Sequence, residues 1–245
     1  VGPAKDLRAL GIEPKVDLAG VGENLQDHLV CPVIFRARRS VPAGNPGLPE
    51  MQSHLFWRSR PGLVAPDVQP IHFTTPRYES WMEGPEEGIT LHAGMIRPSS
   101  RGRVSLAGTD PSQAPRIDPR YLSTDADMSV MLASLRLNRE IAGQSALAEW
   151  VEEELYPGVD ARDDAALTSY IRRALGTYHH HAGTCKMGVD EQAVVDPSLR
   201  VRGIDGLRVI DASVMPTVTS GNTNAPTMMI AERGAAMILA DSSRG

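Results

Sequence analysis

The sequence predicts a mixed α/β fold of the α+β kind, an antiparallel sheet flanked by helices with a β-loop-α segment towards the C-terminal end. Three observations carry this. Strand-like stretches at 29–37, 68–74 and 88–96 follow one another with no helical stretch between them, which favours antiparallel over parallel pairing. Two amphipathic helical stripes fall between 124 and 176. An apolar helical run near 226–239 follows a short apolar stretch and a polar loop.

Taken in order, Val1–Gly11 reads as a short helix with Pro3 in its first turn and Gly11 as its stop. Gly20–His28 is a turn-rich polar run. Leu29, Cys31, Val33, Phe35 and Ala37 then alternate at strand spacing, and Pro32 assigns that strand to an edge. From Ser40 to Asp67 the chain is rich in Pro and Gly without a period, a long connection of the sort that often lies over active sites. Strands follow at Val68–Thr74, at Gly88–Ile96 and at Arg103–Leu106, the last running into the turn Gly108-Thr109-Asp110-Pro111. Thr124 and Asp127 make a capping pair for a helix that buries Met128, Met131, Leu132 and Leu135. A second helix starts near Asp163 or Asp164, buries Leu167, Tyr170, Ile171 and Ala174, and stops at Gly176. Leu207–Ile210 reads as a short parallel-type strand ending in Asp211, and the last helix runs from about Pro226 to Leu239.

Composition bounds the function. At 245 residues and 41% hydrophobic content the chain can bury at least one sizeable core of a soluble globular protein. Its formal charge of -5, with no Lys/Arg run, argues against nucleic acid or an anionic membrane surface as a partner. Cys31 and Cys185 are too few for a disulfide framework, which makes a reducing, cytoplasmic setting the expectation. No stretch has the apolar length of a membrane span or of a signal core.

The densest chemistry lies in Thr177–Gly188, which holds three of the seven histidines, His179, His180 and His181. Imidazole suits acid–base work near neutrality and also metal binding. Adjacent histidines share no helix face, and no Asp, Glu or HxxxH partner stands at ligand spacing, so no metal is expected. The plain structural alternative is a polar loop of solvated or core-satisfied histidines. Asp211, at the carboxyl end of its strand, can hold the ribityl or pyrophosphate part of a dinucleotide, either directly or through adjacent backbone N–H groups; the alternative is a turn or helix-cap Asp. The final helix aims free N–H groups and its positive dipole end at the loop before it, and Asn224 there can be its N-cap. Cys185 has no orienting base beside it and reads as buried and inert. The Gly20-x-Gly22 pair lacks the third glycine and helix of a dinucleotide fingerprint and reads as a shaped turn.

The cluster resembles the Tyr-His-x-x-Gly-Thr-Cys-x-Met-Gly motif of the glucose-methanol-choline oxidoreductases. Their catalytic histidine stands three residues before the Gly-Thr pair, which counts back from Gly183 to His180. His179 takes the motif's aromatic position and His181 the place where the family often has proline. Gly20–His28 is similar to the family's Gly-Val-Gly-x-Asn-Leu-Gln-Asp-His segment, and Arg97–Val104 to the start of a substrate-domain strand. Leu207–Pro216, continuing through Gly221–Met229, resembles its closing flavin-contact segment. The resemblance covers nearly the whole chain. It implies the C-terminal part of an FAD-binding Rossmann-like domain interleaved with a substrate domain: residues 1–30 as a remnant of the FAD-binding domain, 31–175 as the substrate-binding domain, and 176–245 as the C-terminal FAD-binding and catalytic segment.

The function so implied is FAD-dependent oxidation of a small-molecule alcohol to a carbonyl. His180 would take the hydroxyl proton, the α-carbon would pass hydride to the flavin N5, and Asn222 would hold the alkoxide. Asn222 lies nine residues before Ala231, where the family has His or Asn. Asp211, Ala212, Asn222, Thr223 and Asn224 would contact the cofactor. No Gly-x-Gly-x-x-Gly run occurs, so an N-terminal FAD-binding segment or chain is the expected partner. Relatives acting on choline carry a carboxylate on a segment that falls here around Gln52–Trp57; no acid stands in that run, and Glu50 is only close by, which favours a neutral alcohol. Two rival classes remain. One is a non-catalytic ligand- or partner-binding fragment without its flavin-binding half; the other is a hydrolase or lyase, for which no Gly-x-Ser-x-Gly elbow occurs.

Overall fold

In chain order the computed structural model contains helix α1 (Ala4–Ala9), strands β1 (Leu29–Ala37), β2 (Met51–His54), β3 (Ile71–Phe73), β4 (Gly88–Met95), β5 (Arg103–Ser105) and β6 (Arg116–Asp118), then helix α2 (Asp125–Ala142), strand β7 (Val151–Tyr156), helix α3 (Asp164–Ala174), strand β8 (Gly176–Thr177), a 3-10 turn at Ala212–Val214, and helix α4 (Asn224–Ser242). It describes every residue except Ala43, Leu48, Pro49 and 243–245, and all of Gln52 but its side chain. The chain divides into two compact units. The first holds Val1–Asp27, Pro98–Ser123 and His179–Gly245; the second holds His28–Arg97 and Thr124–Tyr178.

The second unit is an antiparallel sheet in the order β2-β3-β4-β1-β7, with β8 also pairing β1. Its centre corrects the edge assignment of Pro32. β1 is an interior strand, buried through most of its length on both faces, and Pro32 sits opposite His92 of β4. On the other side the partners are interrupted: β8 meets only Leu29 and Val30, and β7 begins at Ile34. Pro32 falls in that gap, where its missing N–H leaves no ladder bond unmade, and its carbonyl accepts from the Tyr170 hydroxyl at 2.6 Å.

Both helices of this unit form where their stripes predict. Thr124 accepts at its hydroxyl from the Asp127 N–H at 3.3 Å, and α2 buries Met128, Met131, Leu132 and Leu135. α2 binds β4 through two polar side chains set among these apolar ones: Ser134 takes the Gly94 N–H at 2.9 Å and Asn138 donates to the Leu91 carbonyl at 3.0 Å. Asp163 caps α3, which buries Leu167, Tyr170, Ile171 and Ala174. β7 is held from both sides by charge. Arg36 pairs with Glu153 at 2.7 Å, and Arg139 forks onto Glu154 at 2.9 and 2.6 Å.

The first unit is built of short segments around an apolar cluster that includes Val194, Val195, Leu199, Val214, Val218 and Ile230. Pro98–Ser123 belongs here, although the sequence reading sets it within 31–175. The cause is a run of backbone bonds: Leu25 and Gly102 exchange N–H···O bonds at 2.9 Å, and the Val104 N–H reaches the Gly22 carbonyl at 2.7 Å. Leu207–Ile210 is not a strand. It makes one antiparallel bridge, Arg200 to Arg208, and its N–H and C=O groups are used locally, with Val201 donating to Leu207 and Val209 to Leu199. No helix among the described residues is long and apolar enough to cross a membrane.

Candidate active site

Two other segments of the first unit, one around Asn24 to Asp27 and one from Ala212 to Val218, converge on the histidine loop, and hydrogen bonding explains why. Gln26 and Ala182 exchange N–H···O bonds at 2.9 Å in both directions, which lays Asn24–Asp27 antiparallel to His180–Ala182. Gly183, Cys185 and Met187 then donate to the carbonyls of Ala212, Ser213 and Val214 at 3.3, 2.8 and 2.8 Å. The second half of the motif therefore runs along the turn that follows Asp211. The side-chain amides of Asn24 and Gln26 complete the joint: both donate to the Pro216 carbonyl at 3.2 Å, Asn24 also to that of Gly183 at 3.1 Å, and the Gln26 oxygen accepts from the Val218 N–H at 3.2 Å. Gly20–His28 is thus the clamp that holds the histidine loop to the loop leading into α4.

The three histidines have different settings. His179 is exposed and adopts φ +61°, a left-handed conformation that costs a non-glycine residue energy. His180 is half-buried. Burial pulls its pKa below the ordinary imidazole value, and the neighbouring His179 and His181 act in the same sense, while Asp27 acts against them. His181 places Nε2 3.1 Å from Asp27 and 3.4 Å from the Tyr121 hydroxyl. Asp27 itself is buried, accepting the Tyr121 hydroxyl at 2.6 Å and the His180 backbone N–H at 2.9 Å. Asp27 and Tyr121 are functional candidates that sequence reasoning missed. Asp27 lies in a block read as a turn and as a segment similar to the family's, with no role given to the residue itself, and Tyr121 carries no local signal.

A cleft of about 460 Å³ opens in this unit beside the loop, lined by Leu25, Val104, His181, Asp211, Ala212 and Thr227 among others. A second, of about 520 Å³, runs past Leu7, Leu10 and Val21, and Val104 and Thr184 border both. Of the predicted cofactor residues, Asp211 and Ala212 line the first cleft and Asn222, Thr223 and Asn224 do not; the predicted base His180 does not line it either. Asp211 caps the 3-10 turn through the Ser213 N–H at 2.7 Å, which is the turn or helix-cap alternative for this residue. Asn222 is exposed on the loop before α4, and Thr223 is buried. Asn224 is the first residue of α4 rather than its cap. The Thr223 carbonyl takes the first helical bond, from the Thr227 N–H at 3.0 Å. Cys185 is only partly buried; burial raises its thiol pKa, which keeps it a poor nucleophile. Among the described residues no three His, Cys, Asp or Glu side chains gather as a metal site.

Glu50 is ion-paired with Arg77, which occupies the one acid beside Gln52–Trp57. The Gln52 side chain of that segment lies outside the described residues.

Comparison with known proteins places this arrangement. The C-terminal family model described as GMC oxidoreductase matches residues 98–231, more than half of the chain. An oxygen-dependent choline dehydrogenase of Photobacterium profundum is 38% identical over 99% of the chain and 47% of its own length. The choline oxidase of Arthrobacter globiformis is 42% identical over 97% of the chain and 45% of its own length. Among solved structures, pyridoxine 4-oxidase from Mesorbium loti superposes with a TM-score of 0.90 at 34% identity, covering 96% of the chain and 47% of that protein. The chain spans about half the length of these relatives.

Proposed function

The chain belongs to the GMC oxidoreductase family, and on that premise we propose that it forms the C-terminal part of an FAD-dependent enzyme oxidising an alcohol to a carbonyl, with His180 as the base. The observation that carries the reading is the convergence, within one unit, of the histidine loop through His181, Ala182 and Thr184 and of Asp211, Ala212 and Ser213 on a shared cleft, with His180 adjacent in the same loop. The cleft's volume of about 460 Å³ is within the range of roughly 300–1,000 Å³ usual for small-molecule and cofactor sites.

His180 takes the hydroxyl proton of the substrate. A base must be unprotonated to act, and burial lowers its pKa in the required direction. Asn222 holds the substrate oxygen by donating its amide N–H as negative charge develops there. The chemistry that bound FAD would supply is acceptance of a hydride from the substrate carbon. Asp211 and Ala212 would hold the cofactor from the cleft wall. Asn222, Thr223 and Asn224 stand at the N-terminus of α4, whose free N–H groups and dipole favour negative charge.

An N-terminal partner segment completes the enzyme. α4 supports this: of its 19 residues only Ile230 and Gly234 are buried, while Met228, Met229 and Leu239 stay 55, 60 and 70% exposed. An apolar helix this bare needs a covering surface, and the relatives are about twice as long as this chain. For the substrate, the acid-free 51–57 stretch and the engagement of Glu50 by Arg77 favour a neutral aliphatic or aromatic alcohol over choline.

The test is to prepare the chain alone and together with an N-terminal half, titrate each with FAD, and offer a neutral aliphatic alcohol, an aromatic alcohol and choline without oxygen. The assembled protein should bind FAD stoichiometrically and lose its visible flavin absorbance with alcohol, while the chain alone should bind weakly. Flavin that no alcohol reduces would leave the non-catalytic reading standing. Tight binding by the chain alone would remove the partner from the proposal.

A further inference from the structure

The geometry points to Asp27 as a positioning residue for the base: its buried carboxylate, braced by Tyr121 and His181, fixes the backbone of His180 and so the place from which that imidazole works. The inference rests on the reading of His180 as the base and assigns a role to a residue that reading does not use.

Asp27 is 2% exposed, and its side chain is fully covered. A buried carboxylate is costly unless its oxygens are engaged. Both are. Oδ1 accepts the His180 N–H at 2.9 Å, and Oδ2 accepts the Tyr121 hydroxyl at 2.6 Å and lies 3.1 Å from His181 Nε2. The His180 bond is made to the main chain just after His179, the residue held at φ +61°. A left-handed conformation at histidine persists only where surrounding contacts over-determine it. The Asp27–His180 bond and the paired Gln26–Ala182 bonds just beyond it supply those contacts. Tyr121 arrives from a distant part of the sequence and keeps the carboxylate from turning towards solvent.

The arrangement also sets charge. The charged and titratable groups facing His180 are Asp27, His179 and His181, with Tyr121 behind Asp27. Asp27 alone among them favours the protonated imidazole. Its removal as a charge therefore lowers the pKa of His180. The base then stays neutral to lower pH, and the acid limb of the pH–rate profile moves down.

Asp27→Asn tests both parts in the FAD-loaded enzyme assembled with its N-terminal half. The limiting rate of flavin reduction by alcohol should fall about ten- to a hundredfold, the scale of a displaced catalytic group, with bound flavin unchanged. Its acid limb should move to lower pH, a change that mere loosening of structure would not produce. Tyr121→Phe keeps the charge and loosens the carboxylate; it should lower the rate by a smaller factor with the acid limb in place, and it serves if Asp27→Asn does not fold. A side-chain NMR titration of His180 in wild type and Asp27→Asn needs no catalysis, and its midpoint should fall in the variant. If wild-type flavin is reduced by no alcohol, the enzyme reading fails and this titration alone decides the role of Asp27. An unmoved midpoint, or variants with wild-type rate and profile, would overturn the inference.

Discussion

Replacing Gly183 by alanine should injure the site far more than its size suggests. Gly183 sits at φ +97°, and a Cβ there would stand 2.5 Å from the Asn24 carbonyl oxygen, 2.8 Å from the Asn24 amide nitrogen and 2.9 Å from that of Gln26. Two costs add. The left-handed backbone costs an L-residue about 1–2 kcal/mol, and forcing a methyl into a packed site costs about 1–3 kcal/mol more. The displaced atoms are the clamp between the histidine loop and Pro216, so the damage falls on His180 as well as on stability. Gly11→Ala is the internal reference, since Gly11 has φ +74° but nothing within 4 Å of the added Cβ; it should show only the backbone cost of about 1–2 kcal/mol. Urea unfolding of the FAD-loaded enzyme, followed by circular dichroism, should place the Gly183→Ala midpoint below that of Gly11→Ala. Stopped-flow flavin reduction should be slowed only in Gly183→Ala. Equal midpoints, or a Gly183→Ala enzyme with wild-type kinetics, would refute the clamp.

Asn222→Ala should slow flavin reduction while leaving the unfolding midpoint close to wild type, since one hydrogen bond in a preorganised site is worth more to the transition state than to folding; an unfolded variant would reassign the residue to loop structure. His92, whose imidazole is pushed down to about 4 by burial and then by Arg77, resists protonation in the fold. The unfolded chain takes up that proton near pH 6.5, so the contribution is whole above that pH and is lost as pH falls towards 4, amounting to about 2 kcal/mol once the ring's partial exposure is allowed for; His92→Gln should flatten unfolding free energy against pH over this window. Arg139→Ala leaves Glu154 without its fork and should destabilise the sheet unit by about 3 kcal/mol, read by the same urea titration.

Much of the second unit was legible because its helices carry their burial in the local pattern. The stripe Leu167, Tyr170, Ile171, Ala174 and the caps at Thr124 and Asp163 are all decided within a few residues of one another. β7 was not, since Val151–Tyr156 contains three consecutive glutamates and is recruited by arginines on β1 and α2. Pro32 misled for the same reason: the group that satisfies its carbonyl lies 138 residues away. The site divides in the same manner. The motif singled out the histidines, Asp211 and Asn222, but the role of Asp27 depends on His180 and Tyr121, 153 and 94 residues distant. Leu207–Ile210 has the composition of a strand and stays irregular because its backbone groups are spent on Leu199 and Val201.

The central claim is that His180 is the base of an alcohol oxidation. Anaerobic stopped-flow reduction of the enzyme-bound flavin by alcohol, in wild type and in His180→Ala, addresses it most directly. The account predicts that His180→Ala retains its flavin and is reduced at least about a hundredfold more slowly, with His179→Ala and His181→Ala losing much less. Reduction of His180→Ala at the wild-type rate, or a larger loss at His179 or His181, would contradict it.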